Sequence, residues 1–366
     1  MNAPAGAPRS YMPDSGMAVV KKVAVGAGEA PLIDLSLNES SHGPSPTAVA
    51  AALERAQRLE RYPDPASTEL RRALGEAYGF DPDQLVCGNG SEELIDVIAR
   101  IFARPGDEIV FGAQGFMQFP IVTTRVGATP VTAPERELAP DPEALLAAIG
   151  DRTKILFLGH PDNPTGRYLP AADLKRLVEA TPERVVLVID AAYAEYAQMT
   201  ADYTAGHEFV AGRENVIVTR TFSKAFGLAA LRVGWAHGSK RIVGFMNRMR
   251  GIGNVNALAQ ETAKAALGDM GHVRMVAERT AAERARLTPL YAKLGLGVLP
   301  GAANFMLVRF PSGTNHTAQA ALAFLAERRV IVRSVDDYGL TDYLRISIGL
   351  PEENDAVIAA LKRFMV

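Results

Sequence analysis

Only one cysteine, Cys87, occurs in 366 residues. No intrachain disulfide can form, which fits a reducing cytoplasm and gives no support to secretion. The opening stretch MNAPAGAPRSYMPDSG has no hydrophobic signal core, so no export signal is expected. Long apolar runs are missing too. The longest, such as VVLVIDAAYA, fall far short of the roughly 20 residues of a membrane span, so no membrane association is expected. Charge of one sign is also lacking: 39 basic and 41 acidic residues leave a net −2. That argues against a nucleic-acid surface and against an acidic tail. The six histidines are scattered without ligand spacing, and no metal is expected. G-x-S-x-G is absent, which disfavours a nucleophilic hydrolase. Neither VGAGEA near residue 26 nor GNGSEE at 88–93 has the third glycine of a dinucleotide fingerprint.

What is present is alternation. The first 45 residues are rich in Pro, Gly and Ser and read as an extended arm. From about residue 47 helical periods alternate with short apolar strands. PTAVAAALERAQRLE, SEELIDVIARIF, DPEALLAAI and PAADLKRLVEAT read as helices, the second with Ser91 as its N-cap and two acids in its first turn. QLVC, DEIVFG, KILFLGH, VVLVID and NVIVTRTF read as strands. Such continuous apolar runs are buried on both faces, as in a parallel sheet. The fold class is therefore α/β, with a large doubly wound, mostly parallel sheet. After residue 256 a long charged helix, HVRMVAERTAAERARLTPLYAKLG, leads to GVLPG, ANFMLVRF, TAQAALAFLAERR, VIVRSV and YLRISIG, the order of a small α+β domain. The expected division is an arm over 1–45, a large domain over 46–265, and an interdomain helix with a small domain over 266–366.

Ligands of open α/β sheets bind beyond the carboxyl ends of the strands, so the residues there carry the functional argument. GNGSEELID places Gly90, Ser91 and Glu92 at a helix start, either a phosphate site or a tight turn with an ordinary cap. Asp190 ends a strand expected to be buried, and either caps the next helix or pairs with a buried cation such as a protonated ring nitrogen. Lys224 lies in TRTFSKAFGLAALRVGW, with Thr221 and Ser223 before it, apolar residues after it and Arg232 eight positions on. A lysine in a dry pocket near other cations becomes a usable amine nucleophile, and hydroxyls with a guanidinium suit a phosphate. Amine, phosphate cradle and buried acid together are what pyridoxal 5′-phosphate requires. Asn163, in the turn HPDNPTG, is a breaker residue or a donor to the cofactor's ring hydroxyl. Phe116 is core or a stacking partner. Arg345, in YLRISIG, is an exposed strand arginine or a carboxylate clamp.

With these residues in order, the chain resembles the fold-type I, class I/II pyridoxal-phosphate-dependent aminotransferases, and among them the histidinol-phosphate aminotransferase group. The likeness rests on LNES…GPSP at 37–46, RYPD at 61–64, GNGSEELID at 88–96, NPTG at 163–166, DAAYAEY at 190–196, TFSKAFGLAALRVGW at 221–235, ANFMLV at 303–308 and LRISIG at 344–349. The resemblance implies an aspartate-aminotransferase-like fold in which the arm joins the small domain and the dimer. It implies a cytoplasmic homodimer with shared active sites. Lys224 would bond the cofactor aldehyde and act as general base, with Asp190 on the ring nitrogen and Asn163 and Tyr193 on the ring hydroxyl. Phe116 would stack on the ring. Gly90, Ser91, Glu92, Thr221, Ser223 and Arg232 would hold the phosphate, and Tyr62 would reach it from the neighbouring subunit. Arg345 would bind substrate, with Asn38 and Asn304 nearby and Tyr11 of the arm above.

The implied activity moves an amino group between an amine and a 2-oxo acid, with histidinol phosphate and 2-oxoglutarate favoured over an aromatic amino acid. A decarboxylase of phosphorylated amino acids is the rival that shares the same cradle. Two departures from the group stand out. Ser40, Ser41 and His42 replace its usual Asn-Pro and following residue, close to the expected substrate pocket. Ala191 replaces an acid in the motif that begins at Asp190.

Overall fold

A computed structural model of the protein describes residues 31–366; Tyr11 and most of the arm lie outside the described residues. The strands, in chain order, are β1 (Ile33–Asp34), β2 (Leu85–Gly88), β3 (Glu108–Gly112), β4 (Thr129–Ala133), β5 (Thr153–Gly159), β6 (Val186–Asp190), β7 (Val216–Thr221), β8 (Gly234–Gly238), β9 (Gly297–Leu299), β10 (Phe305–Arg309), β11 (Val330–Ile331), β12 (Arg333–Ser334) and β13 (Tyr343–Ser347).

A seven-stranded sheet has the order β2-β8-β7-β6-β5-β3-β4. Its central strands bury both faces. Ile109, Phe111, Ile155, Phe157, Val188 and Ile217 pack on one side with the helix Ser91–Phe102. The alternate residues Val110, Leu156, Leu158, Leu187, Ile189 and Val218 pack on the other with Leu174, Leu177 and Val178 of the helix Ala171–Ala180. Period-2 alternation between two apolar layers is why the central runs of β3, β5 and β6 are continuously apolar, while β7 turns polar from Thr219 on.

β8 is antiparallel to both β2 and β7. One reversed strand therefore leaves β2 running in the sense of β7, so the carboxyl ends of β2, β3, β5, β6 and β7 share one edge. β8 and β4 escaped the sequence reading. GWAHG has glycine at both ends and weak strand propensity, and two flanking partners make it a strand. β4 carries Pro130, tolerated because β4 is the last strand of the sheet. Two other expectations are corrected. The first helix stops at Arg55 rather than running to residue 60. The N-cap of Ser91–Phe102 is Gly90, at φ +86°, with Ser91 as the first helical residue.

A second, antiparallel sheet has the order β12-β13-β10-β9, and β1 pairs in parallel with β11. Its core includes Met306, Val308, Leu344, Ile346, Leu325 and Leu361. The helix Met270–Lys293 joins the two units: Val273, Val276 and Ala277 pack with Trp235 and Phe222 of the large sheet's core, while Leu287 and Tyr291 belong to the smaller core.

Candidate active site

The strand ends converge on a cavity of about 270 Å³. Gly159, Asp190 and Thr221 reach it from β5, β6 and β7, Ser91 and Glu92 from the helix after β2, and Phe116, Met117 and Gln118 from the segment after β3. Leu37, Asn38, Arg333, Tyr338 and Arg345 close the other side.

Asp190 is buried, and its Oδ1 accepts a hydrogen bond from Thr219 Oγ1 at 2.8 Å. Burial pushes its pKa up to about 6, against the pull of that hydrogen bond and of the Lys224 charge. An acid so placed needs a cationic partner to stay ionised. Lys224 is half-buried; its Nζ donates to the carbonyls of Leu37 at 3.3 Å and Asn38 at 3.2 Å. Burial first, then the Arg345 and Arg232 guanidiniums, bring its pKa down to about 8, with Glu39 and Glu92 opposing. A substantial share of neutral amine at physiological pH is what a nucleophilic lysine needs.

Beside Lys224 lies an anion cradle. Thr221 Oγ1 donates to Ser223 Oγ at 3.0 Å. Arg232, in the left-handed region at φ +52°, donates from Nη1 to Ser223 Oγ at 3.3 Å and to the Ala229 carbonyl at 3.2 Å. Its Nη2 lies 3.5 Å from Glu92. A Cβ at Gly90 would fall 2.8 Å from that Nη2, so glycine here serves both a positive φ and close approach to the guanidinium. Hydroxyls, a guanidinium and a helix N-terminus form a donor set suited to a phosphate dianion.

Phe116 is half-buried on the cavity wall and meets Phe119 edge-on, centroids 5.8 Å apart. Tyr193 OH accepts from Asn38 Nδ2 at 3.1 Å, and burial raises its pKa to about 12. Asn163 Oδ1 accepts from Arg345 Nη1. Asn304 stands behind the cavity rather than in its wall: its Nδ2 donates to the carbonyls of Asn38 at 3.0 Å and Glu39 at 3.2 Å, bracing that loop. Tyr62 is 98 % exposed and outside its own chain's cavity.

The segment at 40–42 follows closely on Asn38 of the cavity wall. Ser40, Ser41 and His42 do not line the cavity. His42 faces His272 and Arg279 of the long helix and Glu353 of the helix Pro351–Phe364; burial, then the Arg279 charge, lowers its pKa. Ala191 is fully buried in the apolar layer with Leu158 and Leu174, where a carboxylate would lack solvent.

The sequence reading missed Arg333 and Tyr338. Arg333 of β12 stands directly opposite Arg345 of β13 in antiparallel register. Like charges facing across a strand pair are destabilising. An arginine inside the apolar VIVRSV was the available signal.

A family model described as aminotransferase class I and II matches residues 30–361. The chain belongs to that family. The histidinol-phosphate aminotransferase of Rhodopseudomonas palustris strain HaA2 is 46 % identical to this aminotransferase over 90 % of both chains. That of Maricaulis maris strain MCS10 is 42 % identical over 96 % of this chain and 98 % of its own. Among solved structures, histidinol-phosphate aminotransferase from Sinorhizobium meliloti in complex with pyridoxal-5′-phosphate superposes with a TM-score of 0.85 at 30 % identity, covering 91 % of this chain and 90 % of that one. The aminotransferase is a pyridoxal-phosphate enzyme of fold type I, and its residues fit the cofactor: the cradle at Arg232 is clear of side chain at Gly90, and buried Asp190 has room for a cation. No helix of the described residues is long and apolar enough to cross a membrane.

Proposed function

We propose that this aminotransferase exchanges the amino group of histidinol phosphate with 2-oxoglutarate. The observation that carries the reading is that Arg333 and Arg345, opposite each other in strand register, both line the cavity, Arg345 held by Asn163 and Ser36 and Arg333 by an ion pair with Asp337 at 2.9 Å. Two such forks suit a phosphate dianion on one substrate and a carboxylate on the other. The similarity to enzymes so named supports the same substrate.

Bound pyridoxal phosphate supplies an aldehyde for amine exchange and a ring that accepts electrons. The phosphate would rest on Ser91, Thr221, Ser223 and Arg232. Asp190 would hold a proton on the ring nitrogen, and Tyr193 and Asn163 would hydrogen-bond the ring hydroxyl. Phe116 would cover the ring. Lys224 Nζ takes the proton from substrate Cα and, in the second half of the cycle, returns one to the keto carbon of the acceptor. Arg345, fixed by Asn163, orients the substrate so that this proton lies within reach of Lys224. Tyr62 would complete the cradle from a second copy, because in its own chain it points into solvent. The homodimer, the cytoplasmic location and the division of the chain at residues 45 and 265 belong to the same reading.

The test is a half-reaction. Histidinol phosphate added to the aldehyde-form enzyme should shift the cofactor spectrum to the aminated form, and 2-oxoglutarate should restore it. A shift with phenylalanine or tyrosine but not with histidinol phosphate would make the enzyme an aromatic aminotransferase. Release of carbon dioxide from an amino-acid phosphate would make it a decarboxylase.

A further inference from the structure

Two acids lie beside Phe116 and Asn163: Asp162, buried and itself on the cavity wall, and half-buried Glu135. Glu135 follows β4 and Asp162 follows β5. Each leaves one buried carboxyl oxygen without a hydrogen-bond partner, Oε2 of Glu135 and Oδ1 of Asp162. Glycines at strand ends shape their niches. A Cβ at Gly112, the last residue of β3, would fall 2.5 Å from Glu135 Oε1, and one at Gly159, the last of β5, would fall 2.1 Å from Asp162 Oδ1. β3 and β5 are paired, so the two niches adjoin. Glu135 Oε1 accepts from the Gln114 N–H at 3.2 Å, and the Asp162 carboxyl faces the N–H groups of Phe116 and Asn163. The ionisable groups facing Asp162 are Glu135, Asp190 and Tyr338, all acids. Two adjoining carboxyls shielded from water, with no cation facing Asp162 among the described residues, do not readily both stay ionised.

We propose that Glu135 and Asp162 hold one proton between them and act together as positioning residues, tying the 113–118 segment that carries Phe116 to the turn that carries Asn163. Burial is heavier at Asp162, whose pKa stands well above the carboxylate range, while Glu135 rises to about 7. The proton therefore rests on Asp162 and answers both orphan oxygens: the acid donates it and the Glu135 carboxylate is its acceptor. Keeping Asp162 neutral also spares Asp190 a second negative neighbour.

The inference rests on the reading that Phe116 and Asn163 grip the cofactor. Infrared spectra of cofactor-free protein, with the aspartate side-chain carboxyl carbons ¹³C-labelled, should contain a protonated-acid carbonyl band at neutral pH that Asp162→Asn removes. Asparagine imitates the neutral acid, so Asp162→Asn should keep cofactor affinity near the wild-type value and abolish the loss of affinity expected of the wild type as pH rises above neutrality. Asp162→Ala should bind cofactor about tenfold more weakly, the cost of leaving a buried acceptor unanswered. The proposal is overturned if the labelled wild type has no band sensitive to Asp162→Asn, or if Asp162→Asn binds as weakly as Asp162→Ala. Should Phe116→Ala leave cofactor affinity unchanged, the ring does not rest on Phe116; that outcome is separate from the acid band.

Discussion

Arg345 of β13 and Asn163, in the turn after β5, meet between the two sheets: the guanidinium Nη1 donates to Asn163 Oδ1. Its Nη2 donates to the Ser36 carbonyl at 2.7 Å, and the Phe305 ring lies 5.4 Å from its Cζ. The group proposed to receive the substrate's anion is thus held from both units before any substrate arrives. Such preorganisation lowers the ordering cost of binding.

Replacing Lys224 by alanine should abolish turnover. Borohydride treatment of the holoenzyme, followed by peptide mass measurement, should find the cofactor attached at residue 224 in the wild type and nowhere in the variant. Normal turnover by Lys224→Ala would remove the lysine from the mechanism.

Asp190→Asn should bind cofactor but lose roughly 10²–10³-fold in kcat, the typical effect of removing one preorganised electrostatic partner. In the cofactor-free protein the sign reverses for stability. The Asp190 carboxyl is raised from 3.8 to about 6 in the fold. Its favourable contribution is complete below 3.8 and is lost as pH rises through about 6. At neutral pH apo Asp190→Asn should therefore be more stable than wild type, by on the order of 3 kcal/mol. Denaturant titrations across this range check it; a variant gap that does not grow with pH would contradict it.

The amine of Lys224 should react with a lysine-selective acylating reagent with an inflection near pH 8, as burial and the Arg345 charge lower it to about 8. Arg345→Gln removes one of those causes, so the inflection should move upward. An unmoved inflection would remove Arg345 from the causes and leave burial and Arg232.

Arg345→Gln should raise KM for histidinol phosphate by about 2–5 kcal/mol in apparent binding, the range for removing one partner of a buried charge pair, and Arg333→Gln by less, because Arg333 is partly exposed and paired with Asp337. The double variant should cost less than the sum, because both act on the same anion. Initial-rate kinetics of the four proteins measure this.

Gly90→Ala places a methyl 2.8 Å from Arg232 Nη2 at a backbone φ of +86°. It should weaken cofactor affinity more than it lowers folding stability, since the guanidinium can swing away while the strain costs about 1–3 kcal/mol. Equilibrium dialysis of the cofactor and thermal melts of the apo protein separate the two effects.

The cofactor wall was largely legible in the sequence, since Asp190, Thr221, Ser223 and Lys224 each follow an apolar run whose end must meet solvent or ligand. Ser91 was misread as a cap because a serine before acids imitates one; the backbone conformation at Gly90 decided otherwise. The strand Gly234–Gly238 was invisible because glycine-rich segments become strands only through their neighbours. Arg333 interrupts the apolar VIVRSV, but only strand pairing set it opposite Arg345.

The sequence by itself determined the α/β alternation, the strand ends that meet at the cavity and the candidate amine, acid and phosphate donors, because each depends on local period and on what can stand at the end of a buried run. Tertiary structure alone decided that His42 faces the long helix, that Asn304 braces a loop rather than lining the cavity, and that Glu135 and Asp162 adjoin. Those relations join residues far apart in the chain, and packing between layers fixes them, where no periodicity records which side chains will meet.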